Sequence, residues 1–137
     1  MGCPSSAGAR LAGRLPDMGV RLYGVVIDSS EPKQLAEWWA QALGWQVVFE
    51  APEEVAVARD ENTHPGLVFV PVPEGKSVKN RLHLDLAPDD RDAEVARLEA
   101  HGARRVDVGQ TPDNTWVVLA DPEGNEFCVL SSREGGV

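Results

Sequence analysis

The sequence predicts an α+β protein made of two βαβββ modules. Three observations carry that prediction. Several short segments alternate apolar and polar residues with a period of two and are bounded by Gly, Pro, Asp and Asn, as strands are. Two other segments place apolar residues at helical spacing. The order strand, helix, three strands then occurs twice, with a period of roughly sixty residues. Such a pair suggests two modules whose sheets close around a core or a groove.

The first strand is read at 20–28, "VRLYGVVID". Ser29 or Ser30 stands where a helix cap belongs, with Pro32 in the first turn. The helix should run to about Leu43, because Leu35, Trp38, Trp39, Ala42 and Leu43 form one apolar stripe, and Gly44 stops it. Trp38 and Trp39 are adjacent and cannot both point inward equally; the core beneath the sheet is their expected place. Trp45, just past the stop, is a candidate for the rim of a groove. "WQVVFEA", "EVAVARD" and "GLVFVPV" follow as strands, separated by the turn chemistry of Pro52–Glu54 and of "DENTHPG", where His64 is expected to be solvated.

The segment "PEGKSVKN", 73–80, reads as a linker, after which the order repeats. "RLHLDLAP" is a strand. "DDRDAEVARLEAHG" is a helix with Asp89 or Asp90 as cap, Val95 and Leu98 inward, His101 at its end and Gly102 beyond. "ARRVDVG", "TWVVLAD" and "EFCVLSS" complete the second set, and "DPEGN" at 121–125 is a tight turn in which Gly124 or Asn125 takes a positive φ. Module one is thus expected at about 20–73 and module two at about 81–132, within one domain over 20–137.

A chain of 137 residues can bury a core without staples. Its net charge of -9 argues against nucleic acid or an anionic membrane as partner. Cys3 and Cys128 do not make a disulfide framework, which fits a reducing cytoplasm. No stretch is apolar enough for a secretory core or a bilayer span. Residues 1–19 read as a disordered leader. Its opening "MGCPSS" fits the permissive myristoylation pattern through Gly2 and Ser6, and Met18 is an alternative start.

"RLHLDL", 81–86, is the most informative stretch. A strand puts Leu82, Leu84 and Leu86 on one face and Arg81, His83 and Asp85 on the other. The leucines need a partner to pack on, and the polar trio needs something to face.

"VVIDSSEPKQLAEWWAQALGW", "RLHLDLAPDD" and "WVVLADPEGNEFCVL" together resemble the vicinal oxygen chelate superfamily, which includes glyoxalase I, bleomycin-resistance proteins and extradiol dioxygenases. The likeness covers about 20–132 and is strongest to a glyoxalase-like subgroup common in actinobacteria. It implies an open, cup-shaped mixed sheet with the helices outside and the ligand on the inner face. Leu82, Leu84 and Leu86 would lie under the second helix, and Arg81, His83 and Asp85 would look into the cup. Metal-using members place one ligand on the first and last strand of each module. Here those positions hold Gly24, beside Tyr23, then the carboxylate-free "LVFVPV", then His83, then Cys128 with Glu126 two residues earlier. The resemblance therefore implies a degenerate metal site and no cofactor; any zinc would use His83 and Cys128 with Glu126 or Asp85. It also implies a homodimer.

The residues assigned chemistry are few. His83 is the candidate general base, with Glu126 or Asp85 as acid or orienting group. Glu126 is expected to be either a buried acid of raised pKa or a solvated strand-end residue. Tyr23 and Trp116 are placed to stack on a flat ligand, Arg81 to meet its polar end, and Cys128 to line the site. The reading that follows is a protein that binds or sequesters a flat, partly apolar small molecule. The alternative is a metal-independent lyase, isomerase or hydrolase, and a metal-dependent glyoxalase- or dioxygenase-like enzyme ranks below both.

Overall fold

The computed structural model describes residues 19–107 and 115–131. Module one runs β1 (Gly24–Ser29), α1 (Pro32–Leu43), β2 (Gln46–Ala51), β3 (Glu54–Ala58) and β4 (Gly66–Pro71). Module two runs β5 (Leu84–Leu86), α2 (Arg91–Ala100), β6 (Arg104–Arg105), β7 (Val117–Ala120) and β8 (Glu126–Val129). The sheets are ordered β1-β4-β3-β2 and β5-β8-β7-β6. In each, the first strand lies parallel to the last and the other pairs are antiparallel. The α+β, two-module expectation holds, and no helix among the described residues is long and apolar enough to cross a membrane.

The helices start and stop for different reasons. Pro32 opens α1 and Gly44 closes it with φ 69°, its N–H donating to Ala40 O. Neither Ser29 nor Ser30 is the N-cap; that position is Glu31, whose side chain caps nothing. The orphan amides are satisfied from elsewhere. Ser29 Oγ accepts from Glu31 N at 3.0 Å, and the Glu123 carboxylate accepts from Ser29 Oγ (2.7 Å), Ser30 N (3.1 Å) and Glu31 N (3.2 Å). By contrast α2 is capped locally, Asp90 accepting from Ala93 N.

One apolar core joins the modules. Leu35, Trp39, Val57 and Phe69 from the first meet Leu98, Leu119, Phe127 and Val129 from the second, all nearly or fully buried. The rings at the junction interlock, with Phe127 edge-on to Trp39 at 4.9 Å and to Trp38 at 6.2 Å. Both tryptophans are buried. Each satisfies its indole N–H on module two: Trp38 donates to His101 O at 2.7 Å, and Trp39 to Asp121 Oδ2 at 2.9 Å. A shared core of this kind stabilises by about 1.5–3 kcal/mol per large side chain buried.

Three strand expectations need correction. The first strand begins at Gly24, because Val20, Leu22 and Tyr23 have no sheet to pack on and are mostly exposed. The strand in "RLHLDL" begins at Leu84, so Leu82 projects into solvent at 84 % exposure instead of lying under α2. "ARRVDVG" forms a strand at Arg104–Arg105, with Val106 N donating to Val118 O at 3.0 Å beyond it, and its last two residues fall outside the described ones. Trp45 packs against the core and does not sit at a rim.

Candidate functional site

Strand register builds the polar face of module two. Asp85 on β5 pairs with Cys128 on β8, which pairs with Val118 on β7, so the three lie in a row. Their neighbours Leu84, Phe127 and Leu119 point the other way, into the core. His83 comes one residue before β5. Its Nδ1 stands 3.2 Å from Asp85 Oδ1 and 3.8 Å from Cys128 Sγ. Two residues along a pleated strand are roughly 6.6 Å apart; because His83 is outside the strand its ring is free of that spacing and turns onto Asp85.

These side chains floor a hollow of about 400 Å³ that Trp116 and Lys79 also line. Burial pushes the Cys128 thiol up, and the charge and hydrogen bond of Asp85 push it further, against a weaker pull from Lys79. A thiol in that setting is a poor nucleophile.

A larger cleft of about 720 Å³ lies between the modules. Val25 and Ile27 of β1 form one wall, Leu84 and Phe127 the other, and Trp39 reaches it from α1. Arg81, His83 and Glu126 also line it. Glu126 accepts from Lys76 Nζ at 3.1 Å and from Asn80 N at 2.9 Å, with both side chains of the ion pair largely buried. Burial, the largest single influence, would raise its pKa. The bonds from Asn80 and Lys76 outweigh it and hold the carboxyl below its ordinary value. Glu126 is therefore a fixed carboxylate that ties the linker to β8, neither the acid of raised pKa nor the solvated group expected. Asp121, fully buried, is similarly committed: it accepts from Trp39 Nε1, Glu123 N, Asn125 N and Asn125 Nδ2.

The sequence candidates thus divide. His83, Asp85, Cys128 and Trp116 come together at the smaller hollow, while Arg81 and Glu126 meet His83 at the cleft. Tyr23 lines neither; it is 67 % exposed and stacks at 4.5 Å on His64, which is exposed as expected. Sequence reasoning missed Lys76, Asn80 and Glu123. Their one signal was position, in the linker and in the "DPEGN" turn.

Module one offers no counterpart to this chemistry. Aligning the helices and the parallel strand pairs matches Gly24 to His83, Val26 to Asp85, Gly66 to Glu126 and Val68 to Cys128. None of the four module-one residues carries a donor side chain. An ion held jointly by both modules does not fit this chain. Among the described residues, His83, Asp85 and Cys128 are the one group of three or more whose His, Cys, Asp or Glu donor atoms converge, all within 4.8 Å of one another.

Paired βαβββ modules with a shared core and a cleft between them define a glyoxalase/bleomycin-resistance/dioxygenase-type fold. The chain belongs to the glyoxalase-like domain family, whose model matches residues 24–130. It is similar in structure to TnmS3, an antibiotic binding protein from Streptomyces sp. CB03234, at 22 % identity and TM-score 0.59, over 83 % of this chain and 97 % of that one. A glyoxalase/bleomycin resistance protein/dioxygenase family enzyme from Burkholderia phytofirmans PsJN is 20 % identical with TM-score 0.62, over 80 % and 97 %. A member of the same superfamily from Sphaerobacter thermophilus DSM 20745 is 16 % identical with TM-score 0.61, over 82 % and 97 %. At such identities the likeness establishes the fold. No curated protein matches the chain.

Proposed function

We propose that the protein binds a small, flat, partly apolar molecule in the cleft between its modules and acts by holding it. The observation that carries this reading is the state of the carboxylates around that cleft. Of the five carboxylates that line it, the three inner ones, Glu126, Asp121 and Glu123, are committed to structural hydrogen bonds, and Asp28 and Glu74 stand at its exposed margin. The middle of the cleft is therefore lined mainly by Val25, Val26, Ile27 and Leu84 over the almost fully buried rings of Phe127 and Trp39, with Arg81 and His83 to set polarity. That composition suits binding by shape and apolar contact. The antibiotic-binding neighbour supports it by analogy of fold. The degenerate site across the modules supports it further, since sequestration needs no metal.

The test is a thermal-shift screen of flat aromatic compounds, with hits confirmed by quenching of tryptophan fluorescence. A ligand at a hundred times its Kd adds about 2.7 kcal/mol of stability. Val26→Arg, at an exposed position on the cleft wall, should abolish that gain without lowering the melting temperature of the free protein. Ligands that stabilise Val26→Arg as well as they do the parent would move the site elsewhere.

A second reading has one observation behind it: Asp85 beside Nδ1 of His83 fixes the tautomer that leaves Nε2 as a base. Glu126, held ionised, would then orient substrate and donate no proton. Turnover with a bell-shaped pH profile, lost in His83→Ala, would replace the binding reading. The homodimer belongs to the same proposal. Val20, Leu22 and Tyr23 are exposed beside the unpaired edge of β1, which supports self-association, and sedimentation velocity reads it directly.

A further inference from the structure

We propose that the molecule held in the cleft is a planar ring lactam, imide or cyclic urea, and that it pairs edge to edge with the open backbone of β1 at Val26 and Asp28. The inference rests on the cleft-binding reading and adds to it the chemical class of the ligand.

The lining of the cleft is the first argument. Val25, Val26, Ile27 and Asp28 line it as an unbroken run of β1. Side chains alternate along a strand, so an unbroken run meets one cavity along its backbone edge. Hydrogen bonding fixes which groups lie on that edge. Gly66 N donates to Tyr23 O, and Val72 N to Ser29 O. Direction alternates residue by residue, so Val25 and Ile27 also turn their N–H and C=O toward β4, while Val26 and Asp28 turn theirs away. Among the described residues β4 is the one neighbour of β1 and β8 the one neighbour of β5, so neither sheet takes up these groups.

The second argument compares the sheet edges. Proteins blunt an exposed edge with a bulge, with charge, or by keeping it short. The edge strand β2 has a register shift between Val47 and Phe49 and carries Glu50, paired with Lys33. The edge strand β6 is Arg104–Arg105 alone, and β5 has three residues. By contrast β1 runs six residues, "GVVIDS", in unbroken register and without Pro or Lys. Its edge opens onto a cavity of about 720 Å³, a volume that suits a drug-sized molecule. Val20, Leu22 and Tyr23 line neither cavity, so self-association through them leaves Val26 and Asp28 to a ligand.

The chemistry of the edge selects the ligand. Each outward-turned residue offers one N–H donor and one C=O acceptor side by side. A ring lactam carries C=O next to N–H and answers both with two parallel bonds, as paired residues do in a sheet. A pure hydrocarbon of the same shape would take these groups from water and give them no partner. The floor suits the rest of such a molecule. Val25 and Ile27 pack against the core, and the rings of Trp39 and Phe127 lie beneath, so a flat ring held at the edge rests one face on apolar surface.

The experiment uses the full chain and two probes with one ring system. Lumichrome alternates C=O and N–H along its pyrimidinedione edge; 1,3-dimethyllumichrome has both N–H groups methylated. Melting temperature and fluorescence titration read binding. Lumichrome should raise the melting temperature and bind about tenfold tighter than its dimethyl analogue. In hydrogen exchange with lumichrome bound, the amides of Val26 and Asp28 should gain protection. Those of Val25 and Ile27, already turned to β4, should not change. Val26→Pro removes one outward N–H and spares the ladder, which an edge strand tolerates. It should weaken lumichrome about tenfold and leave the dimethyl analogue unaffected. Equal binding of the two probes, with the Val26 and Asp28 amides unprotected, overturns the inference and leaves the cleft reading standing. So does parent-strength binding of lumichrome to a Val26→Pro variant with unchanged circular dichroism. No rise in melting temperature with either probe overturns both.

Discussion

At four matched positions the first module carries Gly24, Val26, Gly66 and Val68, and the second carries His83, Asp85, Glu126 and Cys128. The same topology therefore supplies an apolar wall in one half and a cluster of donors in the other. The two glycines differ in why they are there. A Cβ at Gly66 would come 2.8 Å from Val57 O, so β3 and β4 leave no room for a side chain. A Cβ at Gly24 would meet Gly66 O at 3.4 Å and Val68 Cγ2 at 3.6 Å, ordinary contacts. The missing donor is enforced by packing at one position and by choice of residue at the other. The helices show a parallel contrast. The second module caps its own helix with Asp90, while the first borrows its cap, Glu123, from the second. At the helix N-termini dependence runs in one direction; at the far end of α2 it runs back, where His101 O accepts from Trp38 Nε1.

Trp39→Ala tests that dependence most severely. It opens the shared core and strips Asp121 of a donor, and should cost about 3–5 kcal/mol. Urea unfolding followed by far-ultraviolet circular dichroism should still show one transition, at lower midpoint; two transitions would mean that the modules unfold separately. Next in size is the glycine pair. Gly66→Ala should cost about 2 kcal/mol through the forced shift of β3, and Gly24→Ala should stay within about 0.5 kcal/mol. Equal costs for the two would break the steric argument.

The caps come third. Glu123→Ala removes three hydrogen bonds to module one and should cost about 1–2 kcal/mol. Asp90→Ala should cost about 1 kcal/mol. Hydrogen exchange separates them: the first should deprotect amides at the start of α1, the second those at the start of α2. The smallest effect is in pH. The folded pKa of Glu126 lies below its unfolded value near 4.5, so its tie to Lys76 and Asn80 is fully present above that value. It is lost as pH falls through the folded pKa. Melting temperature should therefore fall less steeply below pH 4.5 in Glu126→Gln than in the parent. Parallel curves would remove Glu126 from the linker's anchoring.

Much of this was legible in the chain. The apolar stripes placed both helices, Gly44 and Gly102 marked their ends, and "DPEGN" was a turn with Gly124 at φ 91°. Alternation put Asp85 and Cys128 on polar faces. It failed where a strand was shorter than its pattern. Val20 and Leu22 alternate as strand residues do but pack on no sheet, and Leu82 lies two residues before the strand begins and is left uncovered. Strand spacing would hold His83 and Asp85 roughly 6.6 Å apart; they meet at 3.2 Å because His83 lies outside the strand. The partners of Glu126 and of the α1 amides were illegible in another way. They come from Lys76, Asn80 and Glu123, whose proximity exists only after two modules have docked.

That borrowed cap has a consequence for the order of synthesis. Ser30 and Glu31 wait for a residue 93 and 92 positions downstream, and the indole of Trp39 for one 82 positions away. A ribosome adding about 5–20 residues per second needs roughly 5–20 seconds to cover the longer distances. Through that interval the first half of the nascent chain has made its helix but cannot finish it. Its tryptophan face is open to whatever apolar surface arrives first, and the β7–β8 hairpin, synthesised much later, closes the first half of the molecule.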